Sequence, residues 1–409
     1  MDVSRRRFFS GAVAGAAGTA LTAGVLAEGA RVDAATTGQS AAAASYPFHG
    51  VHQAGILTPG PAQKQNAACY AAFDVTAANR GELTELFKTL TGRARFLTAG
   101  GAAPDLGVGQ PPSDSAVLGA DIPADGLTVT TSLGASLFDD RFGLAKVKPA
   151  RLGPMRIFPN DSPDPAWMHG DLLLQLCANH PDTIHHTLRD ITRHTRGAMQ
   201  LRWKIDGYNS PPRPSGTGRN LLGFKDGTGN PTGSDAEALI WTDSPDEPAW
   251  TRGGTYHVVR LIRMLVEFWD RVGITEQENM FGRRRDSGAP LDGNQEFDTP
   301  NYHADPKGSV IPLDSHIRLA NPRTPDTARQ QLVRRSYNYD LGLDPNGNMA
   351  AGHIFTCFQQ DVVRQFEAIQ TRLVNEPLVD YVQPFGGGYF FALPGVRDAK
   401  DWYARALLN

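Results

Sequence analysis

Four times along this chain the hydrophobic period switches from two to about 3.6, so a strand pattern hands over to a helix pattern. AACYAAFDV reads as a strand, and GELTELFKTLTGR follows with Leu83, Leu86, Phe87 and Leu90 at i, i+3, i+4 and i+7. DLLLQLCAN is a second strand, with Ile184, Leu188 and Ile191 marking one face of the next helix. GGTYHVVRLIRMLVEFW contains a strand running towards a helix. HIFTCFQQ is a fourth strand, before a stripe of Val362, Val363, Phe366, Ile369 and Leu373. Two units fall in each half, which predicts an α+β protein of two similar domains, each an antiparallel sheet covered by helices on one side. The Pro- and Gly-rich stretch NSPPRPSGTGRN, residues 209–220, is the expected boundary. That gives an N-terminal domain over 46–215 and a C-terminal domain over 216–409.

The first 35 residues read as an address. Ser4-Arg5-Arg6-Arg7-Phe8-Phe9 is a twin-arginine signature, followed by a weakly apolar Ala/Gly stretch and a small-residue cleavage site at Val32-Asp33-Ala34. The stretch is too short and too rich in Gly and Ala to span a membrane well. Residues 36–45 read as a linker. Export to the periplasm, the cell surface or the extracellular space is therefore expected. Twin-arginine export carries folded proteins, which favours a non-covalent cofactor loaded before export.

Formal net charge is −3, without the basic excess of a nucleic-acid binder. No run of eighteen apolar residues follows the signal, so no transmembrane span is expected once it is removed. Cys69, Cys177 and Cys357 lie far apart with no C-x-x-C spacing. They read as small buried hydrophobes rather than a zinc site, with one bridged pair left open.

Three segments could carry chemistry. RNLLGFKDGTGNP, residues 219–231, gathers glycines around Asp226 and is neither a P-loop nor an EF-hand. It is read equally as a turn capped by its own aspartate or as an active-site loop. In IPLDSHIRLANPR, His316 stands between Asp314 and Arg318, a setting in which a lone histidine is more often structural. In RQQLVRRSYNYD, Arg334 and Arg335 precede Tyr337 and Tyr339, and adjacent arginines usually form a solvated face. Of His180, His185, His186 and His194, three lie on the helix striped by Ile184, Leu188 and Ile191, and they are expected to face mostly outward.

These blocks, in order across nearly the whole mature chain, resemble the dye-decolorising peroxidase family. The Gly-x-x-Asp-Gly signature is Gly223-Phe224-Lys225-Asp226-Gly227, and GRRRDSGAPL, IPLDSHIRLANPR, LVRRSYNY and PFGGGYFFALPGV are similar to family segments. The resemblance is nearest to its twin-arginine-exported, deferrochelatase-like branch of bacterial iron uptake. It implies two ferredoxin-like domains with haem b in the C-terminal one. It also implies His316 as the proximal iron ligand, Asp226 as the distal acid/base and Arg334 as the distal cation, the first arginine of the pair being aligned with the family position. Some members carry Asn two residues after that arginine, where this chain has Ser336. The implied activity is reduction of hydrogen peroxide through a ferryl intermediate, with oxidation of bulky organic substrates such as dyes and phenols. The alternative is a haem-handling protein that extracts or delivers iron with iron-uptake components.

The chemistry suits those residue types. A neutral imidazole ligand leaves one axial face of the iron open, and its second nitrogen needs an acceptor. Asp361, beside a buried strand, is the acceptor expected from the sequence. On the open face, one carboxylate can take a proton from peroxide and return it to the leaving oxygen. A fixed guanidinium beside it stabilises the developing anion.

Overall fold

The computed structural model describes residues 45–409; the expected signal peptide (1–35) and nearly all of the expected linker lie outside them. The first half follows β1 (Ala67–Val75), α1 (Arg80–Ala99), β2 (Thr128–Gly134), β3 (Leu172–Ala178), α2 (Pro181–His194) and β4 (Met199–Tyr208). The second half follows β5 (Thr255–Met264), α3 (Ile274–Phe281), α4 (His316–Ala320), β6 (Tyr337–Leu343), β7 (Met349–Gln359), α5 (Ala368–Leu373) and β8 (Val382–Ala392).

Strand order is β2-β3-β1-β4 in the first half and β6-β7-β5-β8 in the second. Both are the same antiparallel arrangement, in which the half's first and third strands are central. The expected 209–220 boundary falls in the connection between β4 and β5. The two sheets are continuous. The last strand of each half pairs with the second of the other, Phe390 on Gly134 and Tyr208 on Asn338, so the eight strands close into a ring. Closure removes the four edges that two separate sheets would leave unpaired.

Pleating then divides the core. On β1, alternate residues Cys69, Ala71 and Phe73 pack under α1 and α2 with Leu83, Leu86, Phe87 and Leu90. Their neighbours Ala68, Tyr70 and Ala72 fill the inside of the ring with Leu173, Trp203, Leu261 and Ile354. Such two-sided burial explains why β1 and β3 read as continuous apolar runs. The helix α1 begins at Asn79, whose side chain accepts from Glu82 N at 3.0 Å while Glu82 returns a bond to Ala78 N at 2.9 Å.

All three cysteines are buried and free. The outward reading of α2's histidines holds for His185 and His194 but fails for His186. Its ring is buried and its Nε2 meets Asp114 Oδ2 at 2.6 Å, because the loop carrying Asp114 covers that side of the helix. The stripe at 362–373 is also interrupted. Val363–Glu367 is a π-helical turn; Val363 is half exposed while Val362 and Phe366 stay in the core. Among the described residues no helix is long and apolar enough to cross a membrane.

Candidate active site

In the second half, residues alternating with the ring-filling Val259, Leu261 and Ile354 point the other way, towards the helices. They are Arg260, Ile262 and Met264 on β5, and His353 and Phe355 on β7. Between this sheet face and the helical layer lies a cavity enclosing, with its mouth, about 1240 Å³. Its walls are mostly apolar, including Leu222, Phe281, Leu332, Phe366, Ile369 and Leu373, with a few convergent polar groups, as ligand sites usually are.

From the helical side comes His316, first residue of α4. Its Nδ1 is 2.7 Å from Glu376 Oε2, which leaves Nε2 free for the cavity. Burial disfavours a charged ring here, but the charge of Glu376 and its hydrogen bond outweigh that and raise the proton affinity of His316 above its ordinary value. The helix sits tightly against the end of α3. A Cβ on Gly282, at φ +79°, would come within 2.7 Å of Ile317 Cγ1 and 3.0 Å of Ser315 Oγ. Only glycine suits both that backbone and that approach.

Asp361, the acceptor expected for His316, does not serve it. Its Oδ1 accepts from Val363 N and Arg364 N, both at 2.9 Å, at the start of the π-helical turn, and its Oδ2 lies 3.8 Å from Arg151 Nε. The acceptor is Glu376, which sequence reasoning missed.

Asp226 comes from the glycine-rich loop. Asn220 shapes the bend by accepting from Leu222 N and Phe224 N at 3.1 Å, and Gly223 and Gly227 take φ of +88° and +96°. Lys225 anchors the loop from behind, on Thr217 O at 2.9 Å and Glu296 at 3.4 Å. The Asp226 carboxylate does not cap its own turn; Oδ2 lies 3.3 Å from His353 Nε2. Burial works against its charge. The His353 hydrogen bond and the charges of His353, Arg334 and Lys64 overcome that and hold it far below the usual carboxylate range.

Arg334 lines the same cavity, on the two-residue strand Val333–Arg334 beside β7. Its backbone is clamped by Asn230, which donates to Arg334 O at 2.8 Å and accepts from Arg334 N at 3.0 Å. Arg335 points away and is fully buried, bonded to Pro59 O at 2.6 Å and Gln65 Oε1 at 2.5 Å. Neither arginine forms the solvated face expected of such a pair. Ser336 is buried and accepts Thr356 N at 3.3 Å through Oγ; it is not part of the cavity wall.

These donors fit haem. Among the described residues no three His, Cys, Asp or Glu side chains gather into a metal cage. His316 instead offers one free nitrogen with its other nitrogen fixed by a carboxylate, in an apolar slot with an acid and a cation on its wall. That combination defines a haem enzyme acting on a small oxidant.

The comparisons agree. Residues 53–209 match the N-terminal and 217–397 the C-terminal model of the Dyp-type peroxidase family. The chain belongs to that family and is a haem peroxidase. It is 50% identical over 372 residues to the deferrochelatase of Escherichia coli K12, covering 89% of this chain and 87% of that protein. The Yersinia pestis deferrochelatase is 50% identical over 371 residues, with 89% and 85% covered. The DyP-type peroxidase of Cellulomonas bogoriensis superposes with TM-score 0.80 at 34% identity, covering 90% and 99%. Ferric DtpA from Streptomyces lividans superposes with TM-score 0.79 at 32% identity, covering 90% and 98%.

Proposed function

We propose that His316 would hold the haem iron, that Glu376 orients His316, and that Asp226 and Arg334 together process hydrogen peroxide in the same cavity. The observation that carries this reading is the meeting of His316–Glu376 and Asp226–Arg334 on one apolar cavity. Bound haem supplies an iron centre that takes peroxide and the electrons that cleave its O–O bond. Asp226, held as the carboxylate, accepts the proton from the inner peroxide oxygen and returns it to the outer one, which leaves as water. Arg334 keeps its charge throughout and stabilises the negative charge that builds on the departing oxygen. The apolar walls exclude bulk water from the exchange.

The cofactor is haem b in this reading. No cysteine lines the cavity, and Cys69, Cys177 and Cys357 are buried in strands, so nothing favours a thioether link. The reductants are bulky organic molecules, dye-like or phenolic. Export by the twin-arginine route is supported by Arg5-Arg6-Arg7-Phe8-Phe9.

The name of the deferrochelatase relatives favours a second reading, in which the same cavity removes iron from haem with iron-uptake components. The absorption spectrum of purified protein, before and after peroxide, tests the peroxidase reading. A histidine-ligated haem band that changes on peroxide and returns with an organic reductant is expected. Peroxide-independent release of iron with metal-free porphyrin left behind would favour the second reading.

A further inference from the structure

His353 has no part in the mechanism above, yet its Nε2 lies 3.3 Å from Asp226 Oδ2. It projects from β7 into the cavity between its cross-strand neighbours Ile262 and Asn338, and it is 8% exposed. Its ring protonation can be read from its partners. Asn338 Nδ2 donates to Ser210 Oγ at 3.0 Å and to Arg219 O at 2.9 Å. A backbone carbonyl only accepts, so the amide nitrogen must face Arg219. The amide oxygen then faces His353 Nδ1 at 3.4 Å, and that nitrogen carries hydrogen. If the ring were neutral, Nε2 would be a bare acceptor 3.3 Å from a carboxylate oxygen. Two acceptors do not stay at that distance, so one proton lies between them.

We infer that His353 and Asp226 form a proton-sharing pair, and that His353 is a positioning residue setting the pH window in which Asp226 works. The inference rests on the acid/base reading of Asp226 and deepens it. The cations beside Asp226 favour its carboxylate form, which leaves the shared proton on the histidine. Arg334 on the neighbouring strand and Lys64 from the N-terminal segment both favour an ionised Asp226. Arg260 lies on the same wall, paired with Asp161. His316 and Glu376 face the cavity from the helices as a pair of their own. The resting state is thus an imidazolium beside a carboxylate.

That state suits the reaction. Asp226 takes the proton of the inner peroxide oxygen and is briefly neutral beside a cation. The cation makes the new acid stronger, so the same proton passes readily to the outer oxygen, which leaves as water. The two electrons come from bound haem. The pair ends with the proton it began with. Without a donor on His353 Nε2, Asp226 would face a lone pair at 3.3 Å and the advantage would be lost.

The test uses the haem-loaded full chain, with haem occupancy measured first. Stopped-flow rates of the peroxide-dependent spectral change are recorded across pH for His353→Gln, His353→Leu, Asp226→Asn and the double variant Asp226→Asn/His353→Gln. An opposite charge beside an aspartate lowers its pKa by roughly 1–3 units, so the acid limb should move up by up to that amount in His353→Leu. It should move less in His353→Gln, which keeps a donor to the carboxylate. In the Asp226→Asn background, adding His353→Gln should change nothing further. The inference is overturned if both His353 variants keep the wild-type acid limb while the rate falls equally at all pH. It is also overturned if His353→Gln costs the same factor with and without Asp226. Failure of the underlying reading looks different: Asp226→Asn alone would keep the wild-type rate and acid limb, and the pair would fall with it.

Discussion

Glu376 Oε2 meets Nδ1 of His316 at 2.7 Å, from sixty residues further along the chain. A carboxylate there fixes the tautomer, leaves Nε2 as the ligand atom and makes it more basic. Removing such a partner typically costs about 10–100-fold in metal affinity or activity. Glu376→Gln should therefore weaken haem retention by that order and raise the reduction potential of the bound iron, since a less basic ligand stabilises the ferric state less. Haem transfer to an acceptor protein and a spectroelectrochemical titration measure the two. Asp361→Asn should leave both unchanged.

The two adjacent arginines should separate cleanly. Arg334→Leu removes a fixed charge at a developing anion, a loss of about 10²–10³-fold in the peroxide step with haem still bound. Asp226, deprived of a neighbouring cation, should then titrate higher. Arg335→Leu leaves Pro59 O and Gln65 Oε1 without their donor in a dry interior. Each stranded group costs roughly 1–3 kcal/mol, so the melting temperature should fall while the folded fraction reacts normally with peroxide. Equal peroxide rates for Arg334→Leu and wild type would remove the distal cation from the mechanism.

What the sequence made legible was local. Asp361 was a fair candidate acceptor because it does cap a helical turn next to a buried strand, and capping is visible within three or four residues. Glu376 precedes a short turn at Pro377–Asp380 and reaches His316 only through the tertiary fold. No spacing announces that. His186 sits on the polar side of its helix by period, and only the distant loop bearing Asp114 buries it. The glycines around Asp226 mark the bend but leave a turn and an active-site loop equally open, and the acid/base role comes from the family resemblance of Gly223-Phe224-Lys225-Asp226-Gly227. His353 was passed over because in HIFTCFQQ it looks like one more residue of a buried strand.

Lys64 carries a pH signature of its own. Its ammonium donates to Ser336 O and lies 4.8 Å from the Tyr337 ring centroid. Burial pushes it down to about 8, with Asp226 acting in the opposite direction. An unfolded lysine titrates near 10.4. Between those values the unfolded chain binds more protons than the folded one, so this residue makes stability rise with pH from about 8 to about 10.4. Lys64→Met should remove that rise. Urea unfolding of both proteins across this range gives the comparison, and parallel stability curves would show that the lysine is not destabilised by burial.

Arg260 and Asp161 form a buried ion pair at the sheet wall of the cavity. The guanidinium also lies over the rings of Phe158 and Phe366, 5.4 and 5.9 Å from their centroids, while its Nε and Nη1 have no hydrogen-bond partner. Burial lowers the proton affinity of Arg260, and the Asp161 charge counters it. Losing one member of such a pair strands the other charge, at a cost of about 3–5 kcal/mol, whereas replacing both with apolar groups of similar volume is often neutral or stabilising. Asp161→Asn should therefore destabilise strongly, because the guanidinium stays buried with too few partners. Arg260→Met/Asp161→Leu should be more stable than Asp161→Asn alone, although it carries two substitutions instead of one. Chemical unfolding of Arg260→Met, Asp161→Leu and the double Arg260→Met/Asp161→Leu closes the cycle. If the two single losses simply add in the double variant, the residues are not coupled and the cavity wall is held by packing of Phe158 and Phe366 instead.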